Sequence, residues 1–486
     1  MLGILIKKEI TETILDLRFW VVTALFLILI PLGMYVSRKD YERRLANYQQ
    51  EHQMYRQHYG KDVGASVEAQ GFRPQSTLSI FALGLDPFMP DKAITSRSGL
   101  VRAAKEPGID NPESLLFGKA DYLFNVSFIV SLAALIFTFN RISGEREKGT
   151  LRLMISGSTR RGDILLAKIV GNYIVLLVPF IIAFLAALII LNTSSVISIW
   201  SSRLWPALLV IILITLFFIL AMVSLGICVS TLTHGSIASI MMLFLVWVMA
   251  VLGIPKMSPM IAEAVYPVES RNVVDLAQRI AREDIERDFN EKKSDLFKRC
   301  RAEFGVTHGG ISSRPNTEAE KKAYTKYDGE VVTLENECQK RIANAIRKLE
   351  QDYRNKRNVQ ASLAVNLSRI SPISCYTYLI SGLSGTGPAE PDKFTENAER
   401  YQEQVKADIY DNWIVKTYRM GGSRATSADV VEGFDRSRAS IPDMKYNYTT
   451  MAEVLQAGWI DILLLFVFNI LFFAVAFWRF NKYDVR

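Results

Sequence analysis

The sequence is dominated by long runs that contain no charged residue. The longest extends from Leu204 to Pro255 and has no Asp, Glu, Lys or Arg. A single helix over this run would be about 78 Å long, whereas the hydrocarbon core of a bilayer is about 30 Å thick. We therefore expect the run to turn back near residues 231–236 and to cross a membrane twice.

Four further apolar runs bring the predicted number of membrane-spanning helices to six. Each run is long enough to cross the hydrocarbon core as a helix. The first run is too long for a signal peptide and no cleavage site follows it, so we expect it to remain as an anchor. The chain is therefore predicted to be an all-α membrane protein. The predicted spans are 18–37, 121–140, 164–192, 204–231, 236–255 and 458–479.

Basic residues predict the orientation of the chain. Short loops rich in Lys and Arg stay on the cytoplasmic side. The loop 141–163, the N-terminal segment and the tail 480–486 all carry Lys or Arg residues and fall on the same side of six spans. We therefore expect a multi-pass protein of a bacterial inner membrane with both termini in the cytoplasm. The long blocks 38–120 and 257–457 are then extracytoplasmic.

Residues 1–17 have the pattern of an amphipathic helix. Apolar residues recur every three or four positions, and charged residues occupy the opposite side. This pattern predicts a helix that lies in the membrane interface. The alternative is a plain extension of the first span. The apolar residues are Leu2, Ile6, Ile10, Ile14 and Leu17.

The two extracytoplasmic blocks are predicted to form a mainly helical domain. The start of the first block is helix-prone and should continue the first span outward, whereas residues 71–112 indicate loops with short elements. The second block contains two stretches with helical periodicity, which predict an antiparallel hairpin. Cys300 and Cys338 lie in these stretches. They form either a disulfide or two unpaired thiols, and the sequence leaves both open.

Several classes of chemistry lack a sequence signature. No G-x-x-x-x-G-K-[ST] loop occurs, so we do not expect this chain to bind or hydrolyse ATP, and we expect no resident cofactor. The four histidines do not have metal-ligand spacing. The spans hold almost no ionisable residue at mid-membrane, whereas ion-coupled transporters usually bury such groups there. Any uphill transport should therefore draw its energy from another protein.

The loop between the second and third spans reads "GEREKGTLRLMISGSTRRGDILLAK". Alternating charges precede a Gly-Thr break, a short helix and a turn. This segment resembles the cytoplasmic coupling region of ABC-2-type permeases. The pattern of that region begins with G-E-R-E-x-G-T-L and a short helix. A small residue, Ser or Thr, Arg and I-L-x-x-K then follow. The chain departs from that pattern at Gly157-Ser158, where many members have a proline. The matching residues are Gly144, Glu145, Arg146, Glu147, Gly149, Thr150, Leu151, Thr159, Arg160, Ile164, Leu165 and Lys168.

The resemblance implies a function and a set of partners. Such permeases pair as homodimers or heterodimers, and each docks a separate cytoplasmic ATPase, which carries the ATP and Mg, through this coupling helix. Membrane lipid is a further expected partner; nucleic acid is not. Arg146 and Arg160 are expected to form salt bridges with the ATPase. The residues expected to couple the two subunits are Gly144, Glu145, Arg146, Glu147, Gly149, Thr150, Leu151, Met154 and Arg160.

Three functions remain open from the sequence. The first is export of a substrate, with the apolar spans favouring a hydrophobic or lipid-like one. The second is mechanotransmission, in which the outer helices act on a periplasmic partner and no substrate crosses the bilayer. The third is a sensor or scaffold that needs no ATP, which would leave the coupling-type loop without a role.

Overall fold

The structure is a computed structural model of the full chain. It describes residues 2–58, 68–95, 101–104, 120–156, 160–194, 197, 204–305, 317–407 and 441–482, with 101–104 described as backbone. Residues 483–486 of the predicted tail lie outside this set, as does most of the loop between the third and fourth spans.

Six helices among the described residues are long and apolar enough to cross a membrane. This confirms the predicted all-α membrane fold with six spans. Span 1 is a 42-residue helix and therefore continues well beyond its apolar part, as predicted. The spans are span 1 (Leu17–His58), span 2 (Tyr122–Glu147), span 3 (Arg161–Asn192), span 4 (Leu204–Leu232), span 5 (Ser236–Val265) and span 6 (Trp459–Asn481).

Spans 2 and 5 are not regular helices throughout. Span 2 contains the π-helical turn Asn125–Val130 before the helix Ser131–Thr138, and ends in the short helix Ser143–Glu147. Span 5 comprises Ser236–Val248, the π-helical turn Met249–Gly253 and Ile254–Val265. A π-turn adds a residue to one turn of the helix. The residues that follow it therefore face a different side of the helix. The two turns lie at the same end of the bundle, opposite residues 141–156.

Span 4 lies at the centre of the bundle and packs closely against span 2. A Cβ atom on Gly226 would lie 1.8 Å from the Oγ1 atom of Thr138. Real side chains cannot approach that closely, so glycine is required where these two spans meet. Most of the side chains from Ala221 to Thr231 are buried.

The N-terminal helix α1 (Leu2–Ile14) is separate from span 1. The chain turns at residues 15–16, where the carboxylate of Asp16 accepts a hydrogen bond from the backbone N–H of Arg18. Residues 2–16 therefore do not form a plain extension of span 1. Helix α1 packs along span 3, and the side it buries includes Glu9 and Thr13.

The stretch 150–156 forms the short helix α2 (Thr150–Ser156) between spans 2 and 3. It lies at the same end of the bundle as α1 and the last residues of span 6. We call this the motif end, and the opposite end the stalk end.

A long hairpin of two helices extends from the stalk end. It consists of α3 (Arg271–Glu303) and α4 (Glu318–Ser368), which are about 50 and 77 Å long. Arg271 donates to Glu350 at 2.8 Å. Burial raises the pKa of Glu350, but the hydrogen bond and charge of Arg271 outweigh burial and hold the pKa below its usual range. We call this hairpin the stalk.

The two cysteines of the stalk are free and buried. Cys300 packs with Leu296 and Val331, whereas Cys338 packs with Ile342 and Ile346. Val331 and Cys338 are two helical turns apart on α4, so the thiols belong to different layers. The disulfide alternative is therefore not present in the structure.

Helix α5 (Pro372–Leu383) returns from the stalk into the bundle and packs against spans 4 and 6. Tyr376 is fully buried there, with its hydroxyl 3.1 Å from that of Thr215, which is 2.8 Å from the hydroxyl of Tyr122. This chain of hydroxyl groups satisfies three polar groups in an apolar interior.

The remaining elements form a small domain beside the stalk. Three strands, β1 (Ala69–Phe72), β2 (Lys92–Thr95) and β3 (Val101–Ala104), pair antiparallel in the order β1-β2-β3. Helix α6 (Glu390–Val405) packs on this sheet, and α7 (Met451–Ala457) leads into span 6. Tyr55 at the end of span 1 contributes to the same core. This sheet is not predicted from the sequence.

Candidate functional site

The charged motif, residues 144–151, is bound to three neighbouring elements by its charged side chains. The first contact is a buried triad. The ammonium of Lys168 on span 3 donates to Glu145 at 2.7 Å and to Glu9 of α1 at 2.9 Å. Lys168 and Glu9 are almost fully buried. Such a triad has two carboxylates for one ammonium, and it joins α1, span 3 and the motif.

The second contact is at the end of span 4. Arg146 donates to the backbone carbonyl of Thr233 at 2.8 Å and to that of Thr231 at 3.3 Å. The last carbonyls of a helix have no partner within the helix and carry a partial negative charge. The guanidinium therefore caps span 4.

The third contact is at the start of span 5. The carboxylate of Glu147 accepts hydrogen bonds from the backbone N–H of Ser236 at 3.1 Å and from its hydroxyl at 2.9 Å. The first N–H groups of a helix carry a partial positive charge, which a carboxylate stabilises. Glu145, Arg146 and Glu147 thus contact spans 3, 4 and 5 in turn. We call these three contacts the brace.

After the brace the chain reverses at Gly149, whose φ of +74° favours glycine. Helix α2 then begins at Thr150. Leu151 is fully buried in the bundle, and Met154 and Ile155 pack partly against it. The buried side of α2 thus holds the helix against the spans and leaves the other side exposed.

A second tie joins span 2 to α1. Arg141 donates to the carbonyl of Phe137 at 2.9 Å and to the hydroxyl of Thr13 at 2.7 Å. Together with the triad, this contact fixes α1 at two points one helical turn apart. Movement of the motif would therefore be transmitted to α1.

Comparison with known proteins identifies the family. A family model described as "ABC-2 family transporter protein" matches residues 4–485. The chain belongs to the ABC-2 transporter family. No curated protein matches it.

As an ABC-2 protein, the chain is a permease subunit of an ABC transporter and a multi-pass membrane protein. Members of this family are transmembrane subunits that are generally not catalytic themselves. The family implies two kinds of partner, a cytoplasmic ABC ATPase and a second permease. The brace lies in the segment on which the resemblance to this family was based.

The structure divides the predicted coupling residues into two groups. Gly144, Glu145, Arg146, Glu147 and Leu151 contact the protein's own spans or are packed within the bundle. Two guanidinium nitrogens of Arg146 donate to the end of span 4, and the salt bridges of Arg146 and Arg160 to an ATPase stay predictions. Gly149, Thr150 and Arg160 are exposed, and Met154 is half-buried.

Two residues of this site are not predicted from the sequence. Leu153 on α2 is 76% exposed, more than any other apolar residue of that helix. Glu9 was assigned to the polar side of α1, but it is buried against Lys168. A buried lysine such as Lys168 requires an acidic partner. This requirement is the signal that could indicate a buried role for Glu9.

A crevice of about 260 Å³ lies at the stalk end. The π-helical turns of spans 2 and 5 form two of its sides, and α5 forms the third. The hydroxyl oxygens of Ser127 and Ser374 are buried and have no hydrogen-bond partner among the described residues. An unpartnered buried hydroxyl is destabilising by about 1–3 kcal/mol. The lining residues are Asp121, Leu123, Phe124, Ser127, Phe128, Val251, Pro255, Ile373, Ser374, Thr377 and Tyr378.

Among the described residues there is no group of three or more His, Cys, Asp or Glu that could hold a metal ion. The contacts observed at the site are ion pairs and hydrogen bonds to helix ends, which suit the transmission of movement between helices.

Proposed function

We propose that the exposed side of α2 binds the cytoplasmic ATPase and that the brace transmits the movement of the ATPase to spans 3, 4 and 5. The brace is the observation that carries this proposal. Three consecutive charged residues contact three different spans, so a displacement of α2 moves all three spans together. The motif end and both termini are then cytoplasmic.

The exposed side of α2 has the chemistry of a small docking surface. Leu153 presents an exposed apolar side chain, and Arg152, Thr150 and Lys148, close to it in the chain, are exposed polar residues. An exposed apolar residue ringed by polar ones is the usual arrangement of an interface hot spot. A groove on the ATPase that accepts Leu153 would fit this surface.

A substitution at Leu153 tests the docking proposal. Leu153→Asp should reduce the amount of ATPase that co-purifies from native membranes by tenfold or more, since loss of a hot spot removes about 2 kcal/mol or more. Leu153→Met should retain binding. Thr11→Asp is the matched control, because it adds the same charge at an exposed position of α1, also at the motif end. Equal ATPase recovery with Leu153→Asp and Thr11→Asp would refute docking through α2.

We further propose that the transported substrate is an amphiphile and that its polar group binds in the crevice. The two unpartnered hydroxyls offer hydrogen bonds, and the aromatic and aliphatic residues around them suit a hydrocarbon chain. The direction we propose is export, with the crevice at the far side of the membrane.

Transport by proteoliposomes tests the substrate. The complex should move a fluorescent short-chain phospholipid in the presence of ATP, and Ser127→Val with Ser374→Val should lower transport while ATP hydrolysis persists. Unchanged lipid movement in the double variant would contradict the assignment of the crevice.

Mechanotransmission is a second candidate, favoured by the length of the stalk. Helix α4 has 51 residues and extends far beyond the spans. Two results together would favour mechanical work on a partner. The first is that no lipid moves in any condition. The second is that shortening the stalk, by equal numbers of residues from α3 and α4, abolishes the cellular activity of the transporter while ATP hydrolysis persists.

A further inference from the structure

Helix α3 has two apolar sides, and one of them is exposed. Ile285 and Phe289 pack against α4, and Val274 on the same side of α3 is buried. Val273, Leu276 and Ile280 are each about half exposed, at 50%, 52% and 50%. At 100° per residue, these three lie within about 60° of one another and face well away from the α4 side. We call them the α3 stripe.

The α3 stripe lies beyond the reach of the hydrocarbon core. Span 5 begins at Ser236, and about 20 residues cross the core. The last part of span 5, Ile254–Val265, packs along α4, and α3 packs along the same helix farther from the spans. Lipid chains therefore do not cover the stripe.

Apolar side chains are exposed along span 5 and again on the stripe. Met257, Met260, Ile261 and Val265 are exposed along the end of span 5, and the stripe follows on α3. Span 5 is also less buried than spans 1 to 4. A face of this length, part in lipid and part in water, fits a partner that itself spans the membrane and carries a stalk.

The spacing of the stripe is that of a coiled coil. Val273 and Ile280 take a positions of a heptad and Leu276 takes the d position between them. In a parallel pair of helices, the g residue of one helix lies beside the e residue of the following heptad in the other helix. These positions hold Arg279 and Asp284, which have opposite charges. The apolar pattern ends at position 283, a glutamate, so the contact would be short.

We propose that α3 pairs with α3 of a second copy of this chain, parallel and in register. Two copies in one membrane have the same orientation, so the same residue lies at the same height in both. The stripe then meets itself, and two Arg279–Asp284 ion pairs form by symmetry. This proposal depends on the pairing of two permeases and does not depend on docking through α2.

Cysteine cross-linking in native membranes tests the pairing. Two differently tagged copies of the full-length Leu276→Cys protein should form a disulfide under mild oxidation, giving a product of twice the mass that carries both tags. The unmodified protein controls for its four buried cysteines. Arg282→Cys, on the same helix but a different side, and Val359→Cys, exposed to the same extent on α4, are the matched controls and should give little product.

Charge reversal provides a second measurement. In the Leu276→Cys background, Asp284→Arg should slow product formation by about fivefold, since two exposed ion pairs contribute on the order of 0.5 kcal/mol each. Adding Arg279→Glu should restore the rate.

The proposal is overturned if Leu276→Cys reacts no faster than the controls. It is also overturned if the product lacks the second tag, which would indicate a different partner, or if the double reversal does not restore the rate. Co-purification of the ATPase is measured in the same preparations, so failure of the stalk contact is distinguished from failure of docking at α2.

Discussion

Replacement of Lys168 by methionine should destabilise the protein more than replacement of either carboxylate that it contacts. In the triad, one ammonium lies within 2.9 Å of Glu9 and 2.7 Å of Glu145. Lys168→Met would leave two buried carboxylates facing each other with no compensating charge. Glu9→Gln would leave the Lys168–Glu145 pair intact and would remove the excess negative charge.

The two changes should differ by several kcal/mol. Removing one partner of a buried ion pair costs about 3–5 kcal/mol because an uncompensated charge stays buried. Glu9→Gln replaces an ion pair by a hydrogen bond from the same ammonium to a neutral amide oxygen and should cost about 1–2 kcal/mol. The triple variant Lys168→Met, Glu9→Gln and Glu145→Gln carries no buried charge, so it should recover much of the loss caused by Lys168→Met alone.

The measurement is the midpoint of thermal unfolding of the purified protein in detergent. Unfolding is monitored as loss of the monodisperse peak in size-exclusion chromatography. The expected order, from most to least stable, is unmodified protein, Glu9→Gln, triple variant, Lys168→Met. If Glu9→Gln lowered the midpoint as much as Lys168→Met, the triad would not hold the motif in the way described.

Three further predictions concern single features of the fold. Gly226→Ala should prevent normal packing of span 4, and Thr138→Ala should relieve part of the loss, as measured by the yield of folded protein. Gly149→Asn should support more ATPase stimulation than Gly149→Val, because asparagine adopts positive φ far more readily than a β-branched residue. Cys300 and Cys338 should both react with a maleimide after unfolding without reductant; a resistant pair would contradict the free thiols of the structure.

The fold was largely predictable because its strongest signal is local. A run such as Leu204–Pro255 can be solvated only by lipid or protein, so its length fixes the number of crossings. The hairpin of the stalk was predictable from periodicity in the same way. The sheet was not, since β1 (AQGF) and β2 (KAIT) are four residues each and show little alternation.

The site was predictable as a segment but not as a set of contacts. Leu151, Leu153, Met154 and Ile155 are all apolar, and the sequence of so short a helix does not tell which of them faces the bundle. Packing decides this: Leu151 is buried and Leu153 is exposed. Glu9 was misassigned because amphipathic periodicity places charges toward solvent, whereas its partner Lys168 is distant in sequence.

The turn between spans 4 and 5 has a consequence for how the subunit can change shape. It comprises the three residues 233–235, and Arg146 holds one side of it while Glu147 holds the other. The ends of these two helices at the motif end cannot then spread apart without first releasing the motif. Rearrangements that open a path between spans 4 and 5 should therefore begin at the opposite end, where the π-turn of span 5 already interrupts regular helical geometry.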